Sequence, residues 1–454
     1  MKLTAYENYK PSSMSWLDLM PQHWNAASLR WMSKRYAGAT PDKGNEAYWD
    51  GEIPWINSGA VNDGFITSPS EFITREGFAN SSTKWIPKNA LVMALAGQGK
   101  TKGMVAQLGI QTTCNQSMAA IIPDQRLAPR YLYWWLSANY QNIRNLAGGE
   151  ARDGLNLDML GSIPCPVPQM LEQQTIARFL DTKTAQIDTL VAKKRQLIAT
   201  LKEKRSALIA RTVTRGLPPE AAKAAGLEPH PEMKDSGVEW LGMLPVHWDV
   251  PPLFRVVQSI QTGPFGTQLH HADYVEDEVP LINPIHLVND ELVSDSKNTV
   301  TTEMADRLSR YKLLAGDIVF ARRGDIGRCG VVRLPQEGWI CGTGSMVVRL
   351  DYRRCDARYF SLVFQSSGFG ALLELNAVGT TMLNLNPSIL GRMCVPVPPL
   401  NEQKHIVAFL EEETEKLDGL LLQVETAINR LTEYRQALIT SAVTGKIDVR
   451  KALA

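Results

Sequence analysis

The chain has 454 residues, a formal net charge of +1 and 44% hydrophobic residues. That length calls for two or three domains, and that apolar content supplies real cores and excludes wholesale disorder. A near-neutral total neither favours nor excludes a nucleic-acid partner, because local patches decide that question. No apolar run approaches the ~20 residues that span a bilayer, so no membrane partner is expected. Residues 1–8 lack the apolar core of a secretory signal. Six cysteines (Cys114, Cys165, Cys329, Cys341, Cys355, Cys394) are scattered without a Cys-x-x-Cys pair. They read as reduced thiols in a cytoplasmic protein, neither a disulfide framework nor a zinc site.

In chain order, an opening motif comes first: Trp16-Leu-Asp-Leu-Met-Pro21-Gln-His23-Trp24. It reads as a structural plug, because neither its histidine nor the one in its later copy has a nearby metal or acid partner. A variable region follows to Cys165. Its short β-like runs alternate with Gly/Asn/Asp turns. One run is residues 51–59. Another, residues 89–97, leads into the polar tip Gln98-Gly-Lys-Thr-Lys-Gly103 and a return strand. Residues 128–145, rich in Tyr and Trp, read as helix.

Residues 166–215 open on Pro-Val-Pro and reach Glu172-Gln173. They read as one long helix, with Ile176, Leu180, Ile187, Leu190, Leu197, Leu201 and Leu208 in heptad register and Lys183, Lys194 and Lys204 also in the seam. A proline- and alanine-rich linker, 216–235, comes next. The order then repeats. A second opening motif is Trp240-Leu-Gly-Met-Leu-Pro245-Val-His247-Trp248, and a second variable region runs to residue 395. It holds the run Val279–Asn283, a strand–turn–strand over 316–330 and a helix-like 357–369. A second long helix, 396–446, carries Ile406, Leu410, Leu417, Leu420, Leu431 and Leu438 in its seam. Glu172 and Glu402 fix the repeat distance at about 230 residues, which makes this a two-unit internal repeat.

A narrow apolar stripe over a rod of ~60 Å must be buried, and each helix is the other's nearest candidate. Their charges agree: residues 172–215 carry ten Lys/Arg against four Asp/Glu, and 402–446 carry eight Asp/Glu against five Lys/Arg. The expected fold is mixed α/β. Two α+β domains (1–165 and 236–395) are joined by two long helices (166–215 and 396–446) in an antiparallel coiled coil with pseudo-two-fold symmetry. Residues 216–235 form the linker and 447–454 a tail.

No catalytic constellation survives inspection. Gly99-Lys100-Thr101 is a poor phosphate loop, because the pattern needs glycine where Ala94 stands. Pro251-Pro-Leu-Phe254 is not preceded by the Asn or Asp of an amino-methyltransferase motif, and His270-His271 has no Glu at metalloprotease spacing. No metal site and no bound cofactor are expected. What remains is a binder, whose strand-tip loops differ between halves that share a framework. Arg and Lys suit guanine edges and phosphates, and Gln and Asn suit adenine edges. The candidate contacts are Asn57, Ser58, Gln98, Lys100, Thr101, Lys102, Asn115 and Gln116 in the first half. In the second they are Gln268, Asn283, Arg322, Arg323, Asp325, Arg328, Thr343 and Ser345.

This combination resembles the specificity subunit of type I restriction–modification enzymes over nearly the whole chain. Its carriers are the two opening motifs, the run Met233-Lys-Asp-Ser-Gly-Val-Glu-Trp-Leu-Gly242, the Pro-Val-Pro…Glu-Gln helix starts, Asn156-Leu-Asp and Asn384-Leu-Asn, and the closing Ala442-Val-Thr-Gly-Lys-Ile-Asp-Val-Arg450. The resemblance implies a non-catalytic subunit with two target-recognition domains, each reading half of a split, asymmetric site in double-stranded DNA. It implies two methyltransferase subunits docked on the conserved helices, restriction subunits joining later, and S-adenosylmethionine held by the methyltransferase partner. The alternative is a coiled-coil scaffold whose two domains bind proteins.

Overall fold

A computed structural model describes residues 4–97, 100–147, 154–288, 290–324, 326–376 and 384–450. The candidates Gln98 and Asp325 lie outside them. Both long helices form, as Met170–Arg215 and Leu400–Val443. Prolines stop the chain just before each, and Gly216 and Gly445 take left-handed conformations just after (φ 83° and 71°). Gly419 sits inside the second helix at a cost of roughly 1 kcal/mol against alanine.

The described chain falls into two compact units. One unit is 1–194 with 426–454, and the other is 195–425. Each therefore owns its opening motif, its variable region, the start of the helix that follows and the end of the other helix.

In the first unit a five-stranded sheet carries, in order, Ser33–Ala37, Met118–Pro123, Leu91–Ala94, Val105–Leu108 and Phe65–Ile66. Its central strands are buried on both faces, between the helix Pro129–Ala138 on one side and a small second core on the other. This is why residues 91–94 and 105–108 read as continuous apolar runs instead of alternating ones. A three-stranded sheet holds Thr113–Cys114, Trp49–Ile56 and Glu71–Ile73, with the first pair parallel. The second unit repeats the plan. Val257–Thr262, Ser345–Leu350, Ile318–Ala321 and Cys329–Val331 form one sheet. Val279–Ile282 runs parallel to Ile340–Cys341 in another. The opening motifs close hairpins, Tyr9–Met14 with Leu17–Pro21 and Met233–Asp235 with Met243–Pro245. The linker is thus more structured than expected: it holds a short helix, Pro219–Ala224, and its last residues begin the second hairpin.

Within each unit the two long helices pair antiparallel. In the first, Glu172 and Gly445 accept from the hydroxyls of Tyr6 and Tyr9, whose rings meet edge to face, while Asp188 takes a two-pronged bond from Arg435 (2.8 and 3.1 Å). In the second, the Tyr359 hydroxyl reaches the carbonyls of both Val213 and Pro396, and Arg205 pairs with Asp418 at 3.3 Å. Ile176, Leu180, Ile187 and Leu438 are buried in the first core, and Ile406 and Leu410 in the second; Leu417 is buried too.

The heptad reading fails in part. Leu190 and Leu420, at equivalent repeat positions, are 43% and 46% exposed. Leu201, Leu208 and Leu431 are only half-buried. A straight helix drifts ~20° per heptad against a strict seven-residue repeat, so the buried line slides to neighbouring positions. Val191 packs on the first core beside the exposed Leu190, and Ile209 is buried where Leu208 is not. Of the seam lysines, Lys204 is exposed, while Lys183 and Lys194 are half-buried and Lys183 donates to Gln186 at 3.4 Å.

Candidate nucleic-acid interface

A junction of the opening motif with the long helix is built on the same plan in the two units. Trp24 and Trp248 are fully buried. His23 lies 2.9 Å from the Glu172 carboxylate, and His247 lies 2.8 Å from that of Glu402. The sequence reading that these histidines lack an acid partner is therefore wrong. The partner is the glutamate of the Glu-Gln pair, 149 residues away in one unit and 155 in the other. The second oxygen of Glu402 accepts from the Trp248 indole at 3.1 Å, whereas that of Glu172 accepts from the Tyr6 hydroxyl at 2.7 Å. The glutamine that follows works as a clamp. Gln173 donates to the carbonyls of Arg126 and Pro168 (both 2.9 Å) and accepts from the Ala128 amide (2.8 Å). Gln403 does the same with Arg354 (2.9 Å), Pro398 (2.8 Å) and the Asp356 amide (2.8 Å). A buried amide with every bond made fixes both chain segments rigidly.

In front of this junction, parallel strands aim two loops in one direction. Trp55 and Ile56 pair with Thr113 and Cys114, so Asn57 and Asn115 leave the sheet side by side. In the second unit Leu281 and Ile282 pair with Ile340 and Cys341, so Asn283 leaves beside Gly342 and Thr343. A third loop joins them. The Leu95 amide bonds to the Ser117 carbonyl (2.8 Å) and the Arg322 amide to the Gly344 carbonyl (3.1 Å), which brings each strand tip against the loop after the parallel pair. The crossing is too close for a side chain at Gly38 or Gly263. A β-carbon there would stand 2.2 Å from the Cys114 carbonyl oxygen and 2.0 Å from that of Gly342.

The predicted contacts divide on inspection. Asn57 is half-buried, and its side chain accepts from the Gly59 amide, capping the turn that Ser58 begins. Asn283 likewise holds its own turn and accepts from Gly344 at 3.3 Å. Asn115 keeps its side-chain oxygen buried, and Gln116 is exposed and accepts from Thr40. Lys100 is exposed, with its carbonyl bonded to the Tyr140 hydroxyl, and Thr101 is half-buried. Lys102 is only 3% exposed and Ser345 is fully buried, so neither side chain meets a partner molecule in this conformation. Lys102 lies in the turn before the strand Val105–Leu108, and Ser345 opens the strand Ser345–Leu350. Gln268 is exposed and accepts from Tyr311 (2.7 Å). Thr343 is half-buried.

The arginines of the second tip are not equivalent. Arg328 donates to the carbonyls of Pro284 (3.4 Å) and Leu287 (3.2 Å), which spends it on the neighbouring loop. Arg322 is half-buried, and its Nε donates to the Asn384 side chain at 3.3 Å. Burial, and then the charge of Arg323 beside it, pull its pKa below the usual arginine value. Arg323 is exposed. The involvement of Asn384 was legible only as part of a repeated Asn-Leu pattern. The first-unit support from Tyr140 and Arg144 (2.7 Å apart) had no sequence signal beyond an aromatic-rich helix.

The chain matches the family model described as Type I restriction modification DNA specificity domain over residues 21–200 and 268–429. It is 31% identical over 154 residues to the Escherichia coli type I restriction enzyme EcoR124I/EcoR124II specificity subunit, covering 33% of this chain and 38% of that one. It is 23% identical over 412 residues to the E. coli EcoBI specificity subunit, covering 90% and 78%. In fold it is similar to a chain solved in work on complex assembly and conformational transition of the type I R-M system, with TM-score 0.65 and 17% identity over 94% of this chain and 99% of that one. It is also similar to the HsdS subunit from Thermoanaerobacter tengcongensis, with TM-score 0.56 and 15% identity over 94% and 98%.

Proposed function

We propose how recognition is divided within a chain that belongs to the type I restriction modification DNA specificity family and is a specificity subunit of such a system. Each unit reads one half of a split DNA site, through the three loops that its parallel strands and strand tip present. The observation that carries this is the repetition of one backbone arrangement with different exposed side chains at its ends: Lys100 in one unit, Arg323 in the other. A shared framework positions the loops, and unlike tips give unlike half-sites. The chain itself is non-catalytic. Methyltransferase subunits dock on it and supply S-adenosylmethionine, and restriction subunits join that complex.

The test uses the full chain co-expressed with its methyltransferase subunits. Residues 26–165 are replaced by the matching region of a relative with a different target, and the methylated sites of the host genome are sequenced. One half of the site is expected to change and the other to persist. Alteration of both halves, or of neither, defeats the assignment. A coiled-coil protein scaffold predicts no sequence-specific duplex binding at all.

A further inference from the structure

We infer that Arg323 makes the base-discriminating contact of the second unit and that Arg322 is its positioning residue; this rests on the reading of the chain as a two-unit DNA-specificity subunit. The two strand tips superimpose by their bonds. Leu95 gives its amide to Ser117 and takes that of Leu155 (both 2.8 Å), while Arg322 gives its amide to Gly344 (3.1 Å) and takes that of Leu385 (2.9 Å). Residue 95 thus corresponds to 322, and 96 to 323. At this one place the first unit has a buried leucine followed by an exposed alanine, and the second has two arginines.

Arg322 takes the inward position of Leu95. Its stem is half-buried, and its Nε is bound to Asn384, whose backbone also bridges to Arg323. Arg323 takes the outward position of Ala96, and the exposed Gly324 turns the chain away just after it (φ 76°). Two neighbouring guanidinium groups, one of them partly desolvated, repel each other in the free protein. Acceptors from a guanine edge relieve that repulsion, and a guanidinium fork matches guanine O6 and N7. Ala96 offers no donor, so the first unit has no such contact at this position.

The experiment measures binding of the complete methyltransferase complex to duplexes carrying every single base change in the site. Arg323→Ala is expected to leave the melting temperature unchanged and to erase a preference of about 5- to 150-fold at one guanine-bearing pair in one half-site. Arg323→Lys, which lacks the fork, is expected not to restore it. Arg322→Ala should weaken the same preference. Arg322→Gln, whose amide nitrogen stands where Nε does along the side chain, should recover it. An Arg323→Ala complex with its base preference intact overturns the assignment. So does a loss that is uniform over all duplexes with a shallower salt dependence, which marks a phosphate contact. A parallel swap of residues 236–395 separates the two levels. If it still changes one half-site, Arg323 alone is wrong; if it changes neither, the two-unit reading fails with it.

Discussion

His247 Nε2 stands 2.8 Å from Glu402 Oε2, and the same pairing holds His23 to Glu172 at 2.9 Å. Each pair ties the end of an opening motif to the first turn of the long helix that closes its unit. The glutamates are nearly buried and the histidines are roughly half-exposed. The carboxylate at a helix N-terminus is also favoured by the helix dipole.

Removing Glu402 therefore costs more than one surface ion pair. Glu402→Ala leaves the buried Trp248 indole N–H without an acceptor, a penalty of about 1–3 kcal/mol. Denaturant unfolding should register that loss. The double mutant His247→Ala/Glu402→Ala should cost less than the sum of the singles, because the two groups share one network. Strict additivity would show the pair to be uncoupled.

Gln403→Glu should destabilise the second unit more than Gln403→Ala. The amide faces the carbonyl oxygens of Arg354 and Pro398, so a carboxylate loses two donors and meets two acceptors while buried. Thermal melting of the two variants gives the order directly, and an inverted order would mean that the site is open to water.

The long helices offer a contrast between two leucines three residues apart. Leu417 is 6% exposed and Leu420 is 46% exposed. Leu417→Ala should cost about 2–5 kcal/mol. Leu420→Ala should stay within about 0.5 kcal/mol. Equal losses in chemical denaturation would restore the strict heptad seam.

Gly263→Ala should disturb one half-site alone. The new β-carbon collides with the Gly342 carbonyl and displaces the loop that carries Thr343 and receives the Arg322 amide. Methylation mapped across the host genome should show weakened reading of one half, with the other half still specified. Unchanged methylation would mean that the loop yields without consequence.

The thiols provide a check on burial. Burial raises Cys114, Cys329, Cys341 and Cys355 to about 12 and pushes Cys165 higher still. At pH 8 such groups hold about one part in ten thousand of thiolate, which is the reactive form. Cys394 is the one cysteine of the six that is not buried. A disulfide reagent should titrate Cys394 in the native protein and all six thiols in denaturant. Because burial raises these pKa values in the folded state, the stability that they contribute is fully present below the unfolded thiol pKa, near 8.5, and is lost as pH rises from there toward 12.

By itself, the sequence determined the repeat, the two long helices, the strand–tip–strand elements and the family. All of these rest on local signals: spacing of apolar residues, prolines and glycines at helix ends, and short motifs that recur. The tertiary structure decided what those signals could not reach. The pairing of each opening histidine with a glutamate some 150 residues away depends on which segments fold together, and no local pattern encodes that distance. The exposure of Leu190 and Leu420 follows from the mismatch between 3.6 and 3.5 residues per turn, which accumulates only over a long rod. At the strand tips, Lys102, Arg322 and Arg323 look alike as cationic residues in a turn. Lys102 is buried within its turn, Arg322 is half-buried against Asn384 and Arg323 faces solvent, because the path of the backbone at each tip, and not the kind of residue, decides which side chain is covered.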